Sequence, residues 1–251
     1  MEKNKNYHFE DFTEKNYRNI LKTISGKGTF CSYKDLWQGG GQKIIWRHDI
    51  DISAHRALWM AQAEQDEGIH AVYFVLLNSK FYNMMEQDIY HRLIAIKNLG
   101  HEIGIHLDCD SLPDDVSEEV LCRYLRFLKG IYVEVFQQEM HSFSFHNPSE
   151  KILKLFDKEE YVGLCNAYSE KIRKNIAYCS DSNGYWRFQR LQDFLLCEKQ
   201  RPICVLTHPV WWTPEIMSPA KRVKRAIEGR KKDMESFYEA VLQRTGRMNV
   251  K

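Results

Sequence analysis

The feature that most constrains the fold is the alternation of short apolar runs with longer segments of helical periodicity. The short runs are rich in β-branched and aromatic residues, as buried strands are. They comprise residues 43–49, 71–76, 101–106, 140–145, 161–166, 176–179 and 203–207. Helical candidates lie between and after them, at residues 54–67, 86–98, 116–137, 149–157, 189–199 and 219–244. This pattern predicts an α/β protein with a mainly parallel sheet.

One large domain with an N-terminal extension is the organisation that the chain length favours. A chain of 251 residues is at the upper end of what one hydrophobic core organises. Apolar residues recur at helical spacing across residues 7–24, and the glycines of residues 39–41 end this entry segment. We therefore expect a helical extension at residues 1–42, packed on a main domain at residues 43–251.

The charge balance gives no overall field that would demand a nucleic acid or an anionic membrane as partner, and neither is expected. The 36 Lys and Arg residues nearly cancel the 34 Asp and Glu residues and leave a formal net charge of +2. A basic segment at residues 221–232 could bind phosphates, but the apolar residues Val223, Ala226 and Ile227 within it favour the outer face of a packed helix. The longest apolar run, residues 71–77, is far shorter than the roughly 20 residues of a membrane helix.

The cellular location that the sequence predicts is the cytoplasm. Residues 1–6 are polar and lack the apolar stretch of a secretory signal. The 7 cysteines are an odd number and include no Cys-x-x-Cys pair, so most of them are expected to be reduced, buried thiols. The sequence does not fix the oligomeric state.

Polar side chains stand at the ends of several predicted strands. Asp49 and Asp51 follow the first strand, and His106, His146 and His208 each end a later one. In parallel α/β sheets and barrels, the carboxyl ends of the strands open into a common crevice where ligands bind. Strand ends that repeatedly carry Asp or His therefore indicate a functional site more than a structural role.

The two aspartates at the first strand end suit a divalent metal. Because they are two residues apart, Asp49 and Asp51 point to the same face of an extended strand and repel each other unless a cation or a shared proton intervenes. One carboxylate could ligate a metal while the other takes a proton from its water. The alternative is that Asp51 or Ser53 caps the helix that begins near Ala54.

A second candidate strand carries a histidine and a carboxylate on one face. Glu102, Gly104 and His106 share that face, and Gly104 would let the backbone pass close to something bulky. His101 starts this strand, at the opposite end from His106. We therefore interpret His101 as structural.

Taken together, these motifs resemble those of the polysaccharide deacetylases, metal-dependent amidases that remove acetyl groups from N-acetylated sugars. Residues 47–51 resemble the R-H-D-[IV]-D variant of the family's opening aspartate pair, and residues 100–106 match the start of G-H-E-[IV]-G-x-H-[ST]-x-x-H. Residues 144–148, 180–187 and 206–208 stand where the third, fourth and fifth motifs are expected. Order and spacing agree over most of the chain.

The resemblance implies a fold and a set of catalytic roles. The fold is a distorted, TIM-like (β/α) barrel with about seven parallel strands. Asp49 would be the general base, and Asp51 and His106 would be metal ligands. His208 would be the general acid that protonates the leaving amine, and Asp181 would orient or tune it.

The same motifs imply which side chains line the substrate-binding pocket. Tryptophans near the fourth and fifth motifs would pack against a sugar ring or an acetyl methyl group, although each could equally belong to the core. The substrate-binding candidates are Trp186, Arg187, Trp211 and Trp212.

Two departures from the family pattern leave the third metal ligand open. The second histidine of H-[ST]-x-x-H falls at Asp110, and the arginine of the third motif falls at His146. Asp108 and Asp110 could each be a ligand or a solvated loop carboxylate. We favour His146, because imidazole is a better zinc ligand than a flexible loop carboxylate and Pro148 would stiffen the segment.

The activity implied is that of a metal-dependent hydrolase which removes an N-acyl group, expected to be N-acetyl, from a sugar or a sugar-containing intermediate. The cofactor would be a divalent metal, with zinc expected from the donor set. The partners would be a glycan or another small-molecule substrate. The alternatives are a hydrolase of a non-sugar amide or cyclic imide, and an inactive barrel that only binds glycans.

Overall fold

One curled, mostly parallel sheet organises the protein. The computed structural model describes residues 7–197 and 201–250. The strands are β1 (Thr29–Phe30), β2 (Lys43–Ile50), β3 (Val72–Leu76), β4 (Glu102–Asp108), β5 (Ser142–His146), β6 (Glu160–Tyr161), β7 (Leu164–Asn166), β8 (Ala177–Ser180) and β9 (Ile203–Thr207). Their order is β6-β7-β5-β4-β3-β2-β9-β8, with β1 paired to β2. In the described residues no strand pairing joins β7 to β8, so the sheet is a distorted (β/α) barrel with one open side.

Helices cover the outside of this sheet. They are α1 (Glu14–Ile24), α2 (Ala54–Asp66), α3 (Gln87–Asn98), α4 (Glu118–Phe136), α5 (Glu150–Leu155), α6 (Glu170–Asn175), α7 (Leu191–Cys197) and α8 (Pro219–Arg244). The helices predicted from periodicity are present, with ends that differ by a few residues. The last residues of the segment predicted at 189–199 lie outside the described residues.

The predicted fold, a distorted barrel with about seven parallel strands, is confirmed, but one predicted run is divided. The run at residues 161–166 does not form a single strand, because Val162 and Gly163 both have positive φ, 50° and 76°. This turn folds the segment into a hairpin in which β6 is antiparallel to β7, and only β7 continues the parallel sheet.

The N-terminal segment shares the core of the barrel. Tyr17, Ile20 and Leu21 of α1 are buried in the same apolar cluster as Trp46 of β2 and Trp212. The boundary predicted at residue 43 stays a prediction, and residues 1–6, on which the absence of an export signal was argued, lie outside the described residues. None of the helices in the described part of the chain is both long and apolar enough to span a bilayer.

Strand β2 alternates between two polar environments. Its outward-facing His48 lies 2.6 Å from Glu64 of α2 and 2.7 Å from the Thr207 hydroxyl of β9, and all three side chains are fully buried. The hydroxyl of Tyr73 donates to the other oxygen of Glu64 at 2.6 Å. The inward-facing residues of β2, Arg47 and Asp49, enter the barrel instead.

Strand β4 carries a glycine where the barrel interior is crowded. A Cβ on Gly104 would lie 2.5 Å from the Phe74 ring. Phe74 can therefore enter the barrel, where its ring centroid is 4.9 Å from the Arg47 guanidinium carbon and 6.3 Å from the His106 ring. The expectation that Gly104 lets a bulky group pass is confirmed.

The remaining predictions about local structure concern cysteines, His101 and α8. All the cysteines are free, and all except Cys197 are buried or partly buried. His101 is held between the Ala71 amide and the Ala61 carbonyl, at 3.2 and 3.0 Å, which makes it structural. The basic segment lies on α8 and is mostly exposed.

Candidate metal centre and active site

The carboxyl ends of β2, β4, β5 and β9 meet in one cavity of about 330 Å³. Parallel strands bring their ends to the same edge of a sheet, so the predicted strand-end residues converge there. The charged and titratable side chains that line the cavity are Asp49, Asp51, His106, His146, Tyr168, Tyr178, Arg187 and His208.

Three of these side chains form a cluster with the composition of a metal site. The nearest oxygen of Asp51 lies 3.3 Å from Nε2 of His106 and 3.5 Å from Nδ1 of His146, and one ligand atom from each residue lies within 4.8 Å of the others. That Asp51 oxygen and both ring nitrogens of His106 are buried without a hydrogen-bond partner in the described residues. The unpartnered atoms of Asp51 and His106, together with the His146 imidazole beside them, form a set of ligands that fits a divalent cation such as zinc.

The protein environment supports the ligand roles electrostatically. Burial alone would raise the pKa of Asp51, but the His106 and His146 imidazoles hold that pKa below its usual range. Asn147 lies 3.0 Å from Nε2 of His146 and has a φ of 49°, a conformation that asparagine tolerates. The Asn147 atom at that distance is the amide nitrogen Nδ2; with the amide rotated by 180°, its oxygen would accept the Nε2 proton and leave Nδ1 free to ligate.

The structure brings His146 to the cluster and leaves Asp110 outside it. Asp110 is exposed in a turn after β4, where its amide donates to Asp108 at 3.2 Å. Asp51 does not cap α2, because the Ser53 hydroxyl does so by accepting a hydrogen bond from the Arg56 amide at 3.3 Å. Asp51 is therefore free to face the cavity.

Asp49 is held by an arginine from its own strand. Arg47 donates from Nε and Nη2 to the two carboxylate oxygens, each at 2.8 Å, and both side chains are almost fully buried. Burial alone would raise the pKa of Asp49, but Arg47 and then His106 hold it below its usual range. Each oxygen keeps a lone pair for a further donor. Asp49 is thus an ionised carboxylate beside the cluster of Asp51, His106 and His146.

His208 is held by the buried carboxylate of Asp181, the residue that directly follows β8. Its Nδ1 lies 2.6 Å from Asp181, and its backbone amide donates to both oxygens of that carboxylate at 3.0 and 3.1 Å. Although burial disfavours the charged ring, Asp181 and then Asp51 raise the pKa of His208 to about 9. The Nε2 atom faces the cluster, 3.6 Å from Asp51.

The tryptophans predicted to hold substrate do not line this cavity. Trp212 is fully buried in the core, where it packs on Phe12 and Tyr17, so a sugar cannot reach it. Trp186 donates to Asp11 at 2.9 Å, and Trp211 is partly buried beside Gly184. Aromatic side chains after a strand can face either the cavity or the core, and Trp212, which follows the turn at residues 209–211, faces the core.

Further functional candidates lie in the cavity or, like Arg47, directly beneath it against Asp49. Arg187, also predicted to bind substrate, does line the cavity and is exposed. Sequence reasoning assigned no role to Arg47, Tyr168 or Tyr178. The alternation that places Asp49 and Asp51 on one face also places Arg47 there, so Arg47 could have been found.

Solved structures similar in fold include members of carbohydrate esterase family 4. A family 4 esterase from Bacillus anthracis is 18% identical, with 86% of each chain covered and a TM-score of 0.43. An acetyl xylan esterase from Clostridium thermocellum, in complex with a cobalt ion, is 14% identical over 76% of this chain and 84% of that one, with a TM-score of 0.43.

A family 4 pseudoenzyme from Bacillus anthracis is also similar, at 11% identity over 78% of this chain and 62% of that one, with a TM-score of 0.44. This chain therefore spans less than two thirds of the pseudoenzyme. No family model matches the sequence, and no curated protein matches it. Polysaccharide deacetylases and related esterases of family 4 are thus among the solved structures to which the chain is similar.

Proposed function

We propose that the chain is a metal-dependent hydrolase that removes an N-acyl group, expected to be N-acetyl, from a sugar or sugar-containing intermediate. One observation carries this proposal. In a single cavity, the cluster of Asp51, His106 and His146 lies between a carboxylate paired with arginine and an imidazole paired with a carboxylate. A base on one side of a metal site and an acid on the other is what amide hydrolysis needs.

Asp49 is assigned as the general base. Arg47 keeps its carboxylate ionised and fixes its plane through two hydrogen bonds. Because Asp49 is buried and directly lines the cavity, few water molecules compete for its free lone pairs. A water molecule that attacks an acyl carbon between Asp49 and the cluster can pass its proton to this carboxylate.

His208 is assigned as the general acid. Its raised pKa, about 9, means that the ring is protonated at neutral pH. Asp181 accepts from Nδ1, so the proton on Nε2 faces the cavity and is the one available to a leaving amine. Amines leave amides readily only when protonated, so this proton makes the second half of the reaction possible.

Asp51, His106 and His146 would hold the metal, with zinc expected from two imidazoles and a carboxylate. When bound, the ion would polarise an acyl oxygen and make a nearby water molecule more acidic. Zinc among the divalent ions and a cytoplasmic substrate stay predictions from the sequence.

The rival function is an inactive barrel that only binds glycans. The pairing of Asp49 with Arg47 and of His208 with Asp181 argues against this rival function. Sugar binding alone does not require a buried ionised carboxylate and a charged imidazole on facing strand ends. A non-sugar amide remains the alternative substrate, since the cavity residues bind an acyl group whatever the amine carries.

Metal content and acetate release together test the proposal. We expect about one divalent ion per chain in the wild type, loss of the ion in His106→Ala and His146→Ala, and retention in Asp110→Ala, the matched control in the exposed turn. Asp49→Asn is expected to keep its ion and lose a factor of about 10² to 10⁴ in turnover of N-acetylated sugars. Full metal content in folded His106→Ala, or normal turnover in Asp49→Asn, would overturn the assignment.

A further inference from the structure

The last helix contains a long segment that its own chain covers very little. Helix α8 runs from Pro219 to Arg244, and every residue from 231 to 240 is exposed. Isolated helices shorter than about 12–15 residues are only marginally stable in water, so a segment of this kind gains stability when another surface covers one of its faces. The second half of α8 projects from the domain and is open to such a partner.

An apolar stripe runs along α8. We call it the α8 stripe, and its members are Ile227, Met234, Phe237, Tyr238 and Val241. Their spacings of three, four and seven residues place them on one face of the helix. The first four are 51%, 56%, 71% and 55% exposed. Because a surface helix normally presents polar residues to water, a continuous exposed stripe of large apolar side chains indicates a docking surface.

The charges of α8 are divided between its two halves. Residues 221–232 hold seven cations and one acid, whereas residues 233–243 hold three acids and no cation. Arg222 is buried and Arg230 pairs with Glu86 of its own chain, which leaves five exposed cations in the first half. The helix dipole favours acids rather than cations near the N-terminus, so this division does not stabilise α8 itself. It would be complemented by a helix with the opposite order of charges.

We propose that α8 is a dimerisation helix, which pairs antiparallel with α8 of a second copy of this chain. The antiparallel arrangement places the basic half of each helix against the acidic half of the other, whereas a parallel pair would bring like charges together. It also has the twofold symmetry of the commonest homodimers, with the axis near Met234, the middle of the α8 stripe. Within one chain, Lys231 and Glu235 form an exposed pair 3.6 Å apart, which is worth little and can exchange for pairs across the interface.

The projecting half of α8 leaves room for this arrangement. With the axis near Met234, the exposed half of each helix lies beside the first half of the other helix. The two domains then lie at opposite ends of the helix pair. The stripe from residue 227 to residue 241 covers four helical turns, roughly 21 Å, over which the two helices can contact each other.

The area of the α8 stripe is sufficient for a specific interface. A buried aromatic side chain covers roughly 150–250 Å², so at their exposed fractions Ile227, Met234, Phe237 and Tyr238 offer on the order of 100 Å² each. Two copies would bury about 800 Å² through these side chains alone, and the stems of the charged side chains beside them bring the total towards the roughly 1,200 Å² at which specific interfaces begin.

Sedimentation equilibrium over roughly 1–100 µM protein tests the inference. The wild type is expected to reach twice the mass of the chain within this range. Phe237→Ala is expected to raise the dissociation constant of the dimer at least 100-fold, because the symmetry of the interface counts the lost ring twice. Phe127→Ala on α4 removes another exposed helical aromatic ring, 58% exposed, and is the matched control, which should dimerise as the wild type does. Since Phe237 is exposed in the single chain, circular dichroism should show an intact fold in both variants.

Charge reversal tests the order of charges across the interface. One double variant combines Lys231→Glu with Lys232→Glu, and the other combines Glu235→Lys with Glu239→Lys. Each is expected to be a monomer at low salt, and an equimolar mixture of the two should recover the dimer. A wild type that stays a monomer throughout the concentration range, a dimer that Phe237→Ala leaves unchanged, or two charge-reversed chains that do not combine would overturn the inference.

Discussion

Replacing Glu102 with glutamine is expected to change how the free energy of unfolding depends on pH. The carboxyl group lies inside the barrel on β4, is 7% exposed, and accepts one hydrogen bond from Ser142 at 2.8 Å. Burial raises the pKa of Glu102 from its ordinary value of 4.5 to about 7. Glutamine keeps an oxygen for Ser142 and removes the titration.

The direction of the pH dependence is set by whether the folded or the unfolded chain releases the Glu102 proton at the lower pH. Between pH 4.5 and 7 the unfolded chain ionises Glu102 while the folded chain still holds the proton, so the stability that this group contributes is full below pH 4.5 and is lost as pH rises through 7. At about 1.4 kcal/mol per pH unit, the loss amounts to about 3 kcal/mol. Most of it, about 2.5 kcal/mol, falls between pH 5 and 8.

Urea denaturation followed by circular dichroism measures this effect, with a chelator present so that metal binding does not contribute. The stability of Glu102→Gln relative to the wild type is expected to improve by about 2 to 3 kcal/mol between pH 5 and 8. Glu119→Gln removes an exposed carboxylate and is the matched control, for which little change is expected. The reasoning is refuted if the free energies of unfolding of Glu102→Gln and the wild type differ by the same amount at both pH values.

Two further predictions concern the acid and the crowded strand. Asp181→Asn removes the charge that raises the pKa of His208. The alkaline limb of the pH–rate profile should therefore move to lower pH by about one unit or more. If the limb does not move, His208 is not the titrating acid. Gly104→Ala forces a Cβ against the Phe74 ring and should lower the free energy of unfolding by about 1–3 kcal/mol. The control is Gly130→Ala on α4, where a Cβ meets nothing within 4 Å and no such loss is expected. Equal effects of the two substitutions would contradict the packing argument.

The positions of the strand-end residues could be predicted because two simple periodicities decide them. Alternation along an extended strand puts Asp49 and Asp51 on one face, and parallel strands bring His106 and His208 to the same edge. His146, the proposed third ligand, could be preferred to Asp110 only from ligand chemistry, since sequence spacing does not say that the turn after β4 carries Asp110 out to solvent.

Other features depended on contacts that a sequence does not display. Helix α6 is only 6 residues long, too short for periodicity, although Ser169 marks its start as an N-cap. Trp212 follows a strand as a substrate wall might, yet its burial is decided by Phe12 and Tyr17, which are distant in sequence. Such residues are assigned by long-range packing rather than by local pattern.

The two polar environments of β2 have a consequence for the order in which the protein loses structure. The outer face is tied to α2 through His48 and Glu64, and the inner face is tied within the barrel through Arg47 and Asp49. Opening this strand locally would expose two buried charged networks at once, each without its partners, and such openings are costly. We therefore expect the amides of β2 to be among the slowest to exchange, and Asp49 and Asp51 to lose their arrangement only when the whole domain unfolds.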